Sequence, residues 1–224
     1  GKTGVLWVKT EGFNQEDTMV LSFVRWVMVR KKGPMDVSFE TIVPKLKNFL
    51  SASELSIPEG LNFESYNKVL SGSSHFLNDY EIGEIIDHAD GVTVTESEHV
   101  IATRLWQNTA KVHFDTTARS DGRRLIYGGH VISMARALSF NGLANMQIIA
   151  AINGGSHANP CFAGDTIYAW SEVLDFAQTR VSSIGAIRLR LVATKGAVGL
   201  LRDENNKYYD DVLLDLDYWA FVPI

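Results

Sequence analysis

The sequence is poor in cysteine, in positive charge and in long apolar runs. Of its 224 residues only one is a cysteine, so no disulfide can form within the chain, and we expect a reducing, cytoplasmic setting. Lysine and arginine number 21 against 26 aspartates and glutamates, a net charge of -5. Nucleic-acid binding depends on an excess of basic side chains, and a membrane span needs about 20 apolar residues. We therefore expect neither nucleic acid nor a membrane as a partner.

Several common catalytic motifs are also missing. Six histidines are present, but no two have the His-Glu-x-x-His spacing of zinc hydrolases and no Cys-x-x-Cys pair exists, so we predict no metal site. The glycine pairs lack the context of a phosphate-binding loop, and no Gly-x-Ser-x-Gly nucleophile elbow occurs. Cys161 follows Pro160, and we interpret it as a small apolar filler rather than a nucleophile. These absences exclude the simplest metallohydrolase, nucleotide-binding and serine-hydrolase interpretations.

The spacing of apolar residues predicts an opening β-hairpin, an irregular connection and then a regular unit. Residues 5–10 and 18–30 are rich in β-branched and aromatic residues and flank a turn-forming cluster, which indicates a hairpin. Prolines and serines interrupt residues 33–74, which we interpret as a linker between two units, with a short helix near 43–50. Beyond it we predict strands at residues 81–88, 147–152, 165–176, 184–194 and 212–221.

Two helices are predicted in the second half of the chain. Residues 95–98, Thr-Glu-Ser-Glu, have the pattern of a capping box and predict a helix that ends near Trp106. We expect this helix to turn three apolar residues inward: Val100, Ile101 and Leu105. A second helix, over residues 130–140, carries so few charges that it should be buried, and Asn141-Gly142 is a suitable stop.

A curved antiparallel sheet is the natural covering for a buried helix. The predicted fold class is therefore α+β, and the order of elements indicates a hot-dog fold, a long buried helix wrapped by a curved antiparallel sheet. We expect residues 1–32 to be the terminal strands of a preceding hot-dog half. Residues 33–74 would be the linker, and residues 75–224 the hot-dog domain.

A polar segment after the first predicted helix is the strongest candidate for chemistry. It places the amide of Asn108 and the imidazole of His113 five residues apart in a loop. Taken alone, Asn108 would cap a backbone N–H group and His113 would be a buried structural histidine. The pair Gly128-Gly129 opens the buried helix, and the first N–H groups of a helix are free to stabilise a developing negative charge. Acid/base groups beside such donors suit enolate chemistry on a thioester.

Several segments resemble a known family. They are residues 107–114, 127–133, 138–143, 152–157 and 162–173, with further similarity at 24–31 and 214–220. In this order they resemble the mesaconyl-CoA hydratases, also called β-methylmalyl-CoA dehydratases, of the MaoC-like double hot-dog family. The resemblance spans nearly the whole chain and implies reversible hydration of mesaconyl-CoA to β-methylmalyl-CoA. It implies no metal or redox cofactor, since CoA is part of the substrate.

The resemblance also implies catalytic roles. MaoC-like hydratases carry an Asp-x-Asn-Pro-x-His motif, in which His113 takes the histidine position and Asn108 the aspartate position. Because an amide is a poor base, we expect His113 to be the main acid/base and Asn108 to orient water or substrate. The N–H group of Gly129 is the expected oxyanion donor. The remaining proton transfer would fall to Asp115, to Glu98 or to a carboxylate of the preceding half.

The substrate that the family implies carries a free carboxylate, which a planar guanidinium binds well. Candidate substrate-binding residues are Arg104, Arg123, Arg124 and His157. Arginines at 119–124 equally suit a solvated loop or contacts with CoA phosphates. We interpret Asp165 as a turn cap. The remaining histidines have no visible partner and are interpreted as structural: His75, His88, His99 and His130.

Two alternatives to a hydratase remain open at this stage. An acyl-CoA thioesterase with a hot-dog fold would need an activated water at the thioester carbonyl, for which Asn108 and His113 supply no obvious carboxylate. A non-catalytic acyl-CoA-binding protein is the other alternative. Because hot-dog units commonly pair, we also expect a homodimer or a higher homo-oligomer.

Overall fold

A computed structural model describes residues 3–33, 40–196 and 199–224. The chain divides into two compact units, residues 1–47 and 48–224. In the first unit, strand β1 (Thr3–Phe13) and strand β2 (Met19–Arg30) form an antiparallel hairpin, as predicted, with Trp7 opposite Trp26. Residues 34–39 of the predicted linker lie outside the described residues.

Within the described part of the second unit, five strands form one antiparallel sheet in the order β3-β5-β6-β7-β4. The strands are β3 (Ile85–Thr93), β4 (Ile148–His157), β5 (Thr166–Gln178), β6 (Ile184–Thr194) and β7 (Val212–Pro223). Nine of the eleven residues of β6 are buried, because this central strand is covered on both faces. β6 matches its predicted bounds, whereas β3 starts four residues later than predicted.

The long apolar helix packs on the inner face of this sheet. It is α2 (Gly128–Leu138), and it buries Val131, Ala135 and Leu138 in the core. The short segment α3 (Phe140–Leu143) follows, and it is interrupted by a turn in which Gly142 has a φ of 97°. This positive φ is tolerated because glycine has no Cβ. A buried helix wrapped by an antiparallel sheet confirms the predicted α+β hot-dog fold.

The first helix of this unit, α1 (Glu96–Leu105), starts at the predicted capping box. The predicted inward face is wrong for Ile101 and Leu105, which are 58% and 74% exposed, whereas Val100 is half-buried. His99 and Thr103, one helical turn apart, are buried instead. The Thr103 hydroxyl donates to the His99 carbonyl at 2.7 Å, so this polar pair satisfies part of its own hydrogen-bonding requirement inside the protein. Among the described residues, no helix has both the length and the apolarity to cross a membrane.

The segment expected to be a linker differs from the prediction in its second half. Residues 48–74 belong to the second compact unit, and no helix forms near 43–50. The indole N–H of Trp219 on β7 donates to the Leu50 carbonyl at 2.9 Å. Leu55 is buried in a cluster with Trp219 and Phe221. The outer face of the sheet carries these large apolar side chains, and burying them requires a covering segment.

Candidate active site

His113 lies in a 3-10 turn, Lys111–His113, shortly after α1. Its Nδ1 atom is 2.8 Å from the Leu125 carbonyl oxygen. Since a carbonyl only accepts, Nδ1 carries the hydrogen, and Nε2 of the neutral ring is left as an acceptor. Burial lowers the pKa of His113, an effect that the hydrogen bond to Leu125 opposes and the neighbouring His99 reinforces. The ring is therefore neutral near pH 7 and has a fixed tautomer suited to a general base.

The start of α2 lies next to this histidine. The ring of Tyr127, the residue before α2, is 5.5 Å from the His113 ring between centroids. A Cβ atom at position 129 would lie 2.6 Å from the Tyr127 ring, so any larger residue there would displace the ring or the helix start. The N–H groups of Gly128 and Gly129 belong to the first turn, where a helix offers no internal acceptor. The ring of Tyr127 thus lies against both His113 and the Gly129 position, which places the predicted base near the start of α2.

His157 approaches the same helix end from the sheet. It is the last residue of β4, and a Cβ atom at Gly128 would overlap its imidazole ring. A side chain at position 128 would therefore displace the His157 ring. The contact places His157, a predicted substrate-binding residue, beside the first turn of α2.

Asn108 forms part of the turn that leads to His113. Its side-chain Oδ1 accepts the Ala110 N–H at 2.9 Å, and its own N–H donates to the Thr103 carbonyl at 3.1 Å. The amide oxygen is therefore engaged as a turn cap, as the simpler interpretation expected. Within the described ranges, the Nδ2 group makes no hydrogen bond, so it is the part of Asn108 that remains for a ligand.

The predicted arginines have different surroundings. Arg104 is exposed on α1. Arg123 stacks on Phe162, its Cζ 3.7 Å from the ring centroid. Arg124 is held by protein groups, with NH1 2.8 Å from Glu96 Oε1 and Nε 3.1 Å from the Phe114 carbonyl.

A cluster of histidines and glutamates that sequence reasoning missed lies between α1 and α2. His99, which is fully buried, has its Nε2 2.6 Å from Glu96 Oε2. His130, 4% exposed, has its Nε2 3.3 Å from Glu98 Oε1, although the orientation is not that of a hydrogen bond. Burial lowers the pKa of His130, against the opposing effect of Glu98. The i, i+3 spacing of Glu96 and His99 was the available sequence signal.

Trp106 connects this cluster to the predicted catalytic groups. Its ring lies 5.9 Å from the ring of Tyr127 and 5.9 Å from that of His130. An aromatic row therefore runs from His113 through Tyr127 and Trp106 to His130 along the first turn of α2.

Known proteins resemble the chain over its full length. No family model matches it. The chain is 62% identical over 225 residues to mesaconyl-CoA hydratase of Cereibacter sphaeroides and 50% identical over 230 residues to β-methylmalyl-CoA dehydratase of Chloroflexus aurantiacus. A crystal structure from Chloroflexus aurantiacus, described as a MaoC domain protein dehydratase, has a TM-score of 0.92 at 50% identity over 99% of this chain. The chain therefore has the hot-dog fold of the MaoC-like proteins.

The MaoC-like chain spans slightly less than two thirds of these relatives. It covers 66% of the Cereibacter protein, 65% of the Chloroflexus protein and 65% of the Chloroflexus crystal structure. A Mycobacterium tuberculosis protein with a double hot-dog fold is more distant, with a TM-score of 0.64 at 20% identity, over 99% of this chain and 63% of that one. That likeness concerns the fold alone.

Asp115 and Glu98, the two carboxylates predicted as possible proton donors or acceptors of this MaoC-like site, have different contacts. Asp115 accepts the N–H and the hydroxyl of Thr117 at 2.9 and 2.7 Å, hydrogen bonds that lower its pKa. Glu98 caps α1 and also faces His130 near the start of α2. Of these two carboxylates, Glu98 is the one that contacts the first turn of α2, through His130.

Two other predicted roles in this MaoC-like domain fit their surroundings. Asp165 accepts the Phe162 N–H at 2.9 Å and pairs with Lys195 at 2.8 Å, so it is a turn cap as predicted. Burial raises the pKa of the Cys161 thiol to about 11, consistent with an inert filler. Within the described ranges, no three His, Cys, Asp or Glu side chains form a group able to hold a metal ion.

Proposed function

We propose that the protein is a hydro-lyase that reversibly adds water to mesaconyl-CoA to give β-methylmalyl-CoA. The observation that carries the proposal is the neutral His113 imidazole, fixed through Nδ1 on Leu125 beside the free N–H groups of α2. The names of the two relatives agree with this reaction. A general base next to unpaired helix donors is the arrangement that conjugate addition to a thioester requires.

The proposed reaction uses few protein groups. The thioester carbonyl oxygen accepts a hydrogen bond from the Gly129 N–H. His113 Nε2 takes a proton from water as its oxygen bonds to the β-carbon, and the resulting negative charge moves to the thioester oxygen. The imidazolium then protonates the α-carbon, which restores the thioester and neutral His113. Asn108 Nδ2 is the proposed donor that orients the water. CoA enters as part of the substrate, and the scheme needs no metal or redox cofactor.

An anionic part of the substrate is assigned to Arg123. Its guanidinium lies over the Phe162 ring, and stacking of this kind leaves the N–H donors in the plane free for a carboxylate or phosphate. Arg104 on α1 and His157 beside Gly128 are further proposed contacts. Arg124 is less suited to this role, because its donors already bind Glu96 and Phe114.

We also propose that the protein works as a homodimer or higher homo-oligomer in the cytoplasm. The edge strand β4 supports association, because Ile148, Ile149 and Ile152 are 37%, 41% and 58% exposed. Unpaired sheet edges with apolar side chains favour pairing with another chain. Sedimentation velocity of the purified chain tests the oligomeric state, and a monomer at all concentrations would contradict it.

The reaction is tested by following the ultraviolet absorbance of the conjugated thioester after adding mesaconyl-CoA, with free thiol measured in parallel. We expect absorbance to fall without thiol release in the parent protein, and His113→Ala to abolish the change. His75→Ala is the matched control, because His75 is exposed and has no proposed role. Thiol release would instead indicate a thioesterase, and binding without turnover would indicate an acyl-CoA-binding protein.

A further inference from the structure

Arg124 joins the segment before α2 to two other parts of the domain. Its Nε donates to the carbonyl of Phe114, the residue after His113, at 3.1 Å. Its NH1 donates to Oε1 of Glu96, in the first turn of α1, at 2.8 Å. A single guanidinium therefore bridges helix α1 and the turn that carries the catalytic histidine.

Glu96 is itself fixed from the side of the protein core. Its second oxygen, Oε2, lies 2.6 Å from Nε2 of His99, whose side chain is fully buried. Burial raises the pKa of Glu96, but the hydrogen bonds with His99 and Arg124 outweigh this effect and hold the pKa below its ordinary value. Glu96 is therefore an ionised carboxylate with both oxygens engaged, and it offers Arg124 a defined partner rather than a mobile one.

The residue after Arg124 completes the arrangement. Leu125 donates its N–H to the Val112 carbonyl at 2.9 Å and accepts the Nδ1–H of His113 at 2.8 Å. Arg124 and Leu125 thus contact the His113 turn through three hydrogen bonds, one on each of three consecutive residues. The position of the Leu125 carbonyl, which selects the His113 tautomer, depends on where the Arg124 segment lies.

We propose that Glu96 and Arg124 are positioning residues for His113, which hold the Leu125 carbonyl against Nδ1 and so keep Nε2 unprotonated and directed at the substrate. This inference rests on the proposed hydratase function for its kinetic consequence, but not for its structural one. It also removes Arg124 from the residues that bind the substrate. The glutamate and arginine act through His113 and touch no reacting atom.

The ion pair between Arg124 and Glu96 contributes little to folding stability. The side chains of Arg124 and Glu96 are 30% and 50% exposed, and ion pairs at such exposure contribute little to the free energy of unfolding. A small displacement of a catalytic group, in contrast, lowers the rate by up to about 100-fold. Breaking the pair should therefore change catalysis far more than stability.

The test compares Glu96→Gln, Arg124→Gln and Arg124→Lys with the parent and with Glu172→Gln. The control removes the charge of another glutamate paired with an arginine, Arg190, at 3.1 Å on the sheet. The tautomer of His113 is measured from the nitrogen chemical shifts of its ring at pH 8, assigned with His113→Ala. Steady-state kinetics with mesaconyl-CoA give kcat and KM separately.

We expect the Nδ1–H tautomer in the parent and in Glu172→Gln, and a mixture of tautomers in the Glu96 and Arg124 variants. Their kcat should fall about 10- to 100-fold with KM unchanged. An unchanged tautomer, or a raised KM with unchanged kcat, would overturn the proposal. If the parent shows no turnover, the hydratase function fails while the tautomer still decides the positioning role. Arg124→Lys keeps the charge and gives a second variant if Arg124→Gln does not fold.

Discussion

The buried imidazole of His88 joins two neighbouring strands, with its Nε2 2.9 Å from the Ser171 hydroxyl across β3 and β5. Its Nδ1 lies 2.7 Å from the Asn141 carbonyl, in the turn after α2. Because the carbonyl only accepts, Nδ1 carries the hydrogen and Nε2 accepts from the hydroxyl. Both ring nitrogens are thus satisfied in the neutral form, and burial disfavours the charged form of the ring.

The stability of the protein should therefore fall in mild acid. Burial lowers the pKa of His88 in the folded state, below the value of about 6.5 in an unfolded chain. Between these two values the unfolded state binds more protons, so the free energy of unfolding decreases as the pH falls below about 6.5. Urea unfolding from pH 5 to 8 measures this slope. Replacing His88 with Asn should make the slope shallower, and an identical slope would contradict the assignment.

The activity should follow the protonation of His113. Because burial lowers the pKa of this base, it stays neutral down to a pH below the ordinary histidine value of about 6.5. We expect kcat/KM for hydration to be constant near pH 7 and to fall only on the acid side of about 6.5. A pH–rate profile checks this. An acid limb centred above 7 would indicate that another group, or a protonated His113, controls the reaction.

Adding one methyl group at Gly129 should impair catalysis strongly. The new Cβ would meet Tyr127 Cε1 at 2.6 Å, so the ring or the helix start must move, and with it the N–H donor. Loss of one oxyanion donor typically lowers kcat by about 100- to 1,000-fold. Gly154→Ala is the matched control, since a Cβ there meets nothing within 4 Å. Equal activities of the two alanine variants would show that the start of α2 has no catalytic part.

The contact between Trp219 and Leu50 should stabilise the covering of the outer sheet face. Trp219→Phe keeps most of the apolar ring but leaves the Leu50 carbonyl without its 2.9 Å donor. Because this hydrogen bond is part-buried, we expect a loss of about 1 kcal/mol of unfolding free energy, the lower end of the range for an unsatisfied buried acceptor. Chemical denaturation measures the loss. Phe176→Leu, at a partly buried position on β5 that packs against the other core cluster, separates this effect from a general loss of aromatic packing.

The sequence predicted correctly those helices and strands that are defined by residues close together in the chain. The capping box at Thr95 defines the start of α1, and the strand at Ile184–Thr194 is an apolar run whose two ends were predicted correctly. The inward face of α1 was not predictable from hydrophobicity, because His99 and Thr103 are buried by means of hydrogen bonds to neighbours. The spacing of Asn108 and His113, together with the family resemblance, pointed to this loop, and the catalytic roles of the two residues stay a prediction.

Contacts between distant segments account for most of what the sequence did not predict. β4 extends beyond Ile152 because Gly155 pairs with Leu216, although Asn153-Gly154-Gly155-Ser156 has the composition of a turn. The ion pair between Glu96 and Arg124 joins residues 28 positions apart, and it engages an arginine that the sequence analysis predicted to bind the substrate. In both cases the partner that decides the outcome lies on another element, and one-dimensional patterns contain no information about it.

The helix that carries the proposed oxyanion donors is also the helix around which the sheet closes. Ala135, two turns after Gly128, is fully buried in the largest core cluster. A substitution that enlarges this residue would force shifts of the surrounding backbone, and a shift of α2 would move its first N–H groups relative to His113. Packing of the core at Ala135 and the position of the proposed oxyanion donors are therefore coupled. Substitutions in this core should change the turnover rate without altering any group that contacts the substrate.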